Sequence, residues 1–165
     1  MLRAPWRMDY IDSYEDARQK NESMGHCIFC AYPKEDNDEE NLIVHRGRSA
    51  FVILNRFPYA SGHLMIVPYR HTSIFQSLTD DESHELFFYA KKCVPLLERI
   101  YGAAGFNLGM NIGHVAGAGI DTHLHLHLVP RWNGDTNFMS VTAETKVLPE
   151  SLSVTREKIL SSWDS

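Results

Sequence analysis

The segment HLHLHLVPR at 123–131 constrains this chain more than any other. Side chains of a β-strand alternate between faces, so the run sends His123, His125 and His127 to one side and Leu124, Leu126 and Leu128 to the other. The leucines face a core and the histidines share a site. Three imidazoles spaced about 6.5–7 Å apart along one face lose solvation and repel one another if charged. Chemistry or metal binding explains such a cluster better than packing does.

The rest of the chain supplies a sheet for that strand to join. Three β-like runs, LIVHR at 42–46, AFVILNRFP at 50–58 and GHLMIVPYRH at 62–71, are separated by Gly, Ser and Pro, and their short connections predict an antiparallel meander. FNLGMNIGH at 106–114 is a fourth run and the histidine strand is the fifth. Between them Thr79 and Glu82 match a capping box, and Leu86, Phe87, Ala90, Cys93, Val94, Leu97 and Ile100 recur at helical spacing. One long helix over about 79–101 follows, with a kink or early break expected at Pro95. The class is α+β: a five-stranded antiparallel sheet with one long helix. Residues 1–25 read as an N-terminal arm carrying Trp6, Arg7, Tyr10 and Tyr14, residues 26–140 as the main domain, and residues 141–165 as a C-terminal extension with a short helix.

Composition narrows the function. A net charge of −5 argues against a protein that coats long nucleic acid, while leaving a local pocket for small nucleotides possible. No apolar run approaches the roughly 20 residues of a membrane span, and the first residues lack a secretory stretch, so a cytoplasmic location is expected. Cys27 and Cys30, in CIFC, make a poor disulfide framework but half of a zinc site or a redox pair. Cys93, on the apolar helical face, reads as core. The turn VAGAGIDT, just before the histidines, brings glycines whose backbone can approach an anion and whose N–H groups can form a concave nest. Beside three imidazoles this suggests phosphate.

HLHLHLV at 123–129 resembles the signature of the histidine triad family. Asn111, Gly113 and Ala116-Gly117 upstream, and Gly62-His63, Val67-Pro68 and His71 earlier, fit the same pattern. The resemblance covers most of residues 27–131. It implies the histidine triad fold, with sheets joined across a homodimer. It also implies that His125 is a nucleophile attacking the α-phosphate of a nucleotide and that His127 contacts the transferred phosphate. Neutral imidazole suits nucleophilic attack, because near pH 7 it needs no base and it leaves phosphorus readily. Asn111 and the N–H groups around Ala118 and Gly119 are candidates to meet charge on the phosphoryl oxygens. Many family members carry a glutamine and then a serine or threonine after the Ala-Gly pair. Ala118 and Gly119 stand there in this chain, so that side-chain donor is missing, or is replaced by backbone or by Thr122.

Other positions follow from the same resemblance. Cys27, Cys30, His71 and His123 match a structural zinc site. Asn55 matches the position that holds ribose hydroxyls, and His63 a histidine near the phosphates. Phe51, Ile53 and Leu54 are candidates for a base slot or plain strand core, and Gly117 belongs to the phosphate turn. His26, His45, His84 and His114 are expected on the surface or in loops. PRWNGDTNFM after the triad, with APWR and VLPE, is similar to the diadenosine tetraphosphate phosphorylase branch. There Trp132 suits a second base or a dimer interface, and Arg131 a distal phosphate. The activity implied is transfer of a nucleotidyl group from a dinucleoside polyphosphate to His125 and then to inorganic phosphate or water. A nucleoside phosphoramidate hydrolase and a nucleotide-binding protein without turnover are the alternatives.

Overall fold

The computed structural model describes residues 27–135 and 150–164. The N-terminal arm expected at 1–25, and His26, lie outside them. A short helix α1 (Ile28–Ala31) precedes strands β1 (Ile43–Arg46), β2 (Ala50–Leu54) and β3 (Leu64–Pro68). Helix α2 (Asp80–Tyr101), β4 (Gly105–Met110), β5 (Leu126–Arg131) and helix α3 (Leu152–Ser161) complete the order. The five strands form one antiparallel sheet in the order β1-β2-β3-β5-β4. The first three are the expected meander. β5 inserts between β3 and β4, which places the histidine strand inside the sheet.

The observed strands are shorter than the apolar runs, for local reasons. β2 stops at Leu54 because the Asn55 side chain accepts the N–H of Phe57 at 2.9 Å, a turn that bends the chain away. Gly62 and Gly113 adopt φ of 75° and 82°, a region that side chains disfavour, and so bound β3 at its start and the loop after β4. The ladder of β5 begins only at Leu126. His123 and His125 therefore precede it, in a segment where the N–H of Leu124 donates to the carbonyl of Thr72 at 2.8 Å.

Helix α2 starts as its sequence predicts, with Thr79 and Glu82 forming a reciprocal capping box, and ends at Gly102 in the left-handed region. The break expected at Pro95 does not occur: the helix is continuous from 80 to 101. Pro95 and Lys91 are both exposed, so the carbonyl deprived of its donor can turn to water. Leu54, Leu64 and Leu128 pair across β2, β3 and β5 and share one face of the sheet. Val52 has the same parity, and its partner His45 bonds Tyr89 of α2 at 3.1 Å, which identifies the leucine face as the helix side.

The C-terminal helix α3 belongs to the same core. Ile159 and Trp163 are buried in it, Arg156 donates to the carbonyl of Ile43 at 3.0 Å, and Arg99 of α2 donates to that of Ser162 at 2.9 Å. His45, expected at a surface or loop position, is instead half-buried in β1 and stacks on Trp163 at 4.7 Å. The docked C-terminus covers it. Among the described residues no helix is long and apolar enough to cross a membrane.

Candidate functional site

Strand register fixes which residues share the face of His127. His127 pairs with Met65 of β3 and Gly109 of β4, and Met65 pairs with Ile53 of β2. Continuing the Met110–Leu126 pair by one position sets Asn111 opposite His125. Leu54, a candidate for the base slot, has the opposite parity and is 1% exposed on the helix side. Phe51 has the parity of the histidines but is wholly buried, packed on Tyr69 at 5.3 Å. Neither side chain reaches an accessible surface in this structure.

The tautomers of these imidazoles are set, directly or through a neighbouring ring, by main-chain groups that have no choice of role. A carbonyl can only accept, so the 2.9 Å contact of His125 Nδ1 with the carbonyl of His123 puts the proton on Nδ1 and leaves the Nε2 lone pair free. The contact of His123 Nε2 with the carbonyl of Pro68, also 2.9 Å, leaves His123 Nδ1 free to ligate. The backbone N–H of Tyr59 can only donate, and it does so to His63 Nδ1 at 3.0 Å, where Asn55 Nδ2 also approaches at 3.4 Å. In its neutral form His63 therefore carries its proton on Nε2 and donates it to His127 Nδ1 at 2.9 Å. His127 is left with an N–H at Nε2. A lone pair on His125 and an N–H on His127 thus sit on rings 4.7 Å apart.

Burial favours the neutral form of His125 and His127. It pushes His127 down to about 4, with the neighbouring His125 adding to the effect, and it lowers His125 as well. Phe29 of α1 leans on both His123 and His125, with centroids at 5.5 and 5.1 Å, and shields the base of the site. The sequence offers no clear signal for Phe29 beyond its place between the two cysteines. Tyr59 sets the His63 tautomer through its main-chain N–H, a group with no signature at all, while its ring packs on His63 at 4.7 Å.

The four residues of the expected metal set come together. The candidate ligand atoms of Cys27, Cys30, His71 and His123 lie within 4.8 Å of one another. His71 Nδ1 is 3.3 Å from His123 Nδ1, and three sulfur–nitrogen distances are 3.3, 3.3 and 3.6 Å. A tetrahedral ion with bonds of about 2.0–2.1 Å to nitrogen and 2.3 Å to sulfur would have edges of roughly 3.3 Å (N to N) and 3.5 Å (S to N). The donor set fits such an ion. Burial pushes the Cys27 thiol up to about 11 and His123 down to about 4, so both are held neutral. A divalent cation would reverse the first effect by taking the thiolate.

The glycine-rich turn lies beside this cluster. Gly117 adopts φ of 79°, His114 and Asp121 close the loop at 2.9 Å, Ala118 and Gly119 are half-buried, and Thr122 is exposed. Asn55 has both side-chain groups engaged locally, by Phe57 and His63.

A cavity of about 990 Å³ opens over the histidine face of β4 and β5. Asn111 and His127 line one part of it, and Trp132, Tyr101, Glu150 and Lys158 another. Trp132 is fixed by a 2.9 Å bond from its indole N–H to the carbonyl of Tyr101. Arg131, expected to meet a distal phosphate, is instead engaged by both oxygens of Asp135 at 2.5 and 2.8 Å and by Asn107 at 2.7 Å. It braces the turn that carries Trp132.

The HIT domain family model matches residues 36–134 of this chain. An AP-4-A phosphorylase of Mycobacterium tuberculosis is 39% identical over 162 residues, covering 98% of this chain and 83% of that protein. An asymmetrical bis(5'-nucleosyl)-tetraphosphatase of Schizosaccharomyces pombe is 28% identical over 56% of this chain and 50% of its own length. A Zn-bound histidine triad family protein from Mycobacterium smegmatis shares the fold, with a TM-score of 0.67 at 20% identity over 84% of this chain and 93% of that one. With the family signature spanning the sheet, the histidine strand and the turn before it, this chain belongs to the histidine triad family.

Proposed function

We propose that the chain is a nucleotidyl-transfer enzyme acting at the α-phosphate of a dinucleoside polyphosphate, in the manner of a diadenosine tetraphosphate phosphorylase. The observation that carries this reading is the pair of locked tautomers: a free lone pair on His125 beside a donor on His127. His125 Nε2 attacks phosphorus, forming a P–N bond while the bridging P–O bond breaks and its electrons leave with the departing polyphosphate oxygen. The Nε2–H of His127 and the side chain of Asn111 steady the phosphoryl oxygens. An oxygen of inorganic phosphate or water then attacks phosphorus, and the P–N electrons return to His125. The 39% identity to the mycobacterial phosphorylase, over nearly the whole chain, supports this substrate class.

Gly117 and the N–H groups of Ala118 and Gly119 are assigned to the phosphates, with Thr122 at their edge. Asn55 and His63 are assigned to the floor beneath the nucleotide, and Trp132 to a second base. Zinc would be held by Cys27, Cys30, His71 and His123, closing a four-ligand site with no open position. Its part is structural: it ties α1 to the segment that carries His125. The homodimer is assigned to β4, an edge strand whose Leu108 is 47% exposed. Sedimentation giving only an 18.9 kDa species would exclude it. A cytoplasmic location accords with three free cysteines.

Product analysis after incubation with diadenosine tetraphosphate, with and without inorganic phosphate, tests the reading. ADP and ATP formed only with phosphate are expected; AMP and ATP in both mixtures would make the acceptor water. Intact-mass measurement should find a nucleotidyl adduct that His125→Ala abolishes, together with about a thousandfold or more of turnover. Near-normal activity in that variant would overturn the mechanism.

A further inference from the structure

The cavity over β4 and β5 is longer than a site for one phosphoryl group requires. It is lined by the successive residues Asn107 to Asn111 of the β4 segment and by His127, Val129 and Arg131 of β5. From His127 to Arg131 the strand advances about 13 Å. Trp132 follows directly, and its bond to Tyr101 brings the end of α2 to the cavity, which Glu150 and Lys158 also line.

Charge here is allotted unequally. The cations lining the cavity, among the described residues, are Arg131 and Lys158. Arg131 is committed to Asp135 and Asn107 through three hydrogen bonds. Lys158 has a single carboxylate partner, Glu150, and its side chain is 48% exposed while that of Glu150 is 13% exposed. Glu150 also accepts from the hydroxyl of Tyr101 at 2.5 Å and from that of Thr155 at 2.9 Å. It therefore keeps two donors if Lys158 turns away. Lys158 projects from a helix whose docking through Arg156, Arg99 and Trp163 fixes its base. The result is a cation on a flexible stem, above a firm base, at the end of a cavity that begins at His127.

We infer that Lys158 is a specificity-determining residue that leaves Glu150 to bind the distal phosphates of the departing polyphosphate. This rests on the proposed function for the direction of the substrate, since the phosphate attacked by His125 must lie at the His127 end. Selection for a long phosphate chain then resides in the C-terminal helix, outside the histidine strand. A substrate ending at the α-phosphate does not reach Lys158, and a polyphosphate does.

Two measurements test it, the first of them independent of turnover. Calorimetric titration with inorganic tripolyphosphate should show binding weakened by about tenfold or more in Lys158→Ala and largely restored in Lys158→Arg, as expected for loss of one charge-assisted contact. Equal affinity in wild type and Lys158→Ala, or no binding by wild type, would overturn the inference whatever the protein catalyses. Steady-state kinetics should show the ratio of kcat/KM on diadenosine tetraphosphate to that on an AMP aryl ester falling about tenfold or more in Lys158→Ala, chiefly through KM for the tetraphosphate. An unchanged ratio would also overturn it. Failure of wild type to turn over either compound would count against the proposed function, leaving the titration to decide the role of Lys158.

Discussion

Replacing His63 with alanine tests the tautomer chain at its origin. His63 is wholly buried, receives the N–H of Tyr59 and donates to His127 Nδ1. The substitution deprives the half-buried His127 Nδ1 of its donor, at about 1–3 kcal/mol, and truncates a side chain with no solvent contact, at about 2 kcal/mol or more. The Tyr59 N–H adds less, because Tyr59 is 44% exposed and water can reach it. A loss of about 3–5 kcal/mol follows, a large part of the 5–15 kcal/mol typical of a domain. Urea denaturation should report it as a lower midpoint with little change in slope. Catalysis should also suffer: with Nδ1 unpaired, His127 no longer holds its proton at Nε2, and loss of one such donor to a phosphoryl oxygen costs about a hundred- to a thousandfold in kcat. Nitrogen NMR of the wild type should place the His127 proton on Nε2. A proton found on Nδ1, or a His63→Ala variant within about 0.5 kcal/mol of wild type with normal turnover, would show that His63 does not set the His127 tautomer.

Other outcomes follow from the same structure. Stripping the metal from the Cys27, Cys30, His71 and His123 set with a chelator, or making Cys30→Ala, should lower the Tm by about 8–16 °C, taking about 4 kcal/mol for a tightly held ion and 2–4 °C per kcal/mol; metal analysis showing no bound ion in the native protein would remove the basis for this. Because burial pushes His127 to about 4 against about 6.5 in the unfolded chain, its contribution to stability is fully present above pH 6.5 and is lost as pH falls from 6.5 toward 4. Denaturation curves across that window should show a shallower decline in His127→Gln than in wild type, and parallel declines would contradict it. At Gly47 an added methyl would meet the Tyr89 hydroxyl at 2.5 Å, its ring at 2.6 Å and the Ala50 carbonyl at 2.7 Å, so Gly47→Ala should cost about 1–3 kcal/mol, read by thermal melting.

Alternation of apolar and polar residues, a local property, made the sheet, the long helix and its capping box legible in the sequence. HLHLHL announces two faces because strand geometry leaves no other choice, and Thr79 with Glu82 announces a helix start because both partners lie within one turn. The metal set was legible only through family resemblance, since His71 and His123 are far from the cysteines along the chain and nothing local links them. Leu54 shows the limit of reading apolar runs: adjacent to Ile53, it faces the opposite side of the sheet, and only register decides which of the two shares a face with His127. His45 gained its surroundings from a C-terminal helix more than 100 residues from β1, contacts that no local pattern encodes.

Strands, long helix and histidine-bearing face were thus set by the sequence alone, because they depend on side-chain type and on periods of two and 3.6 residues, whereas the roles proposed for the histidines came through the family resemblance. Tertiary structure decided which nitrogen of each imidazole is basic. Those choices rest on the carbonyls of Pro68 and His123 and the amide of Tyr59, main-chain groups every residue carries, and only folding brings the right ones within hydrogen-bonding reach.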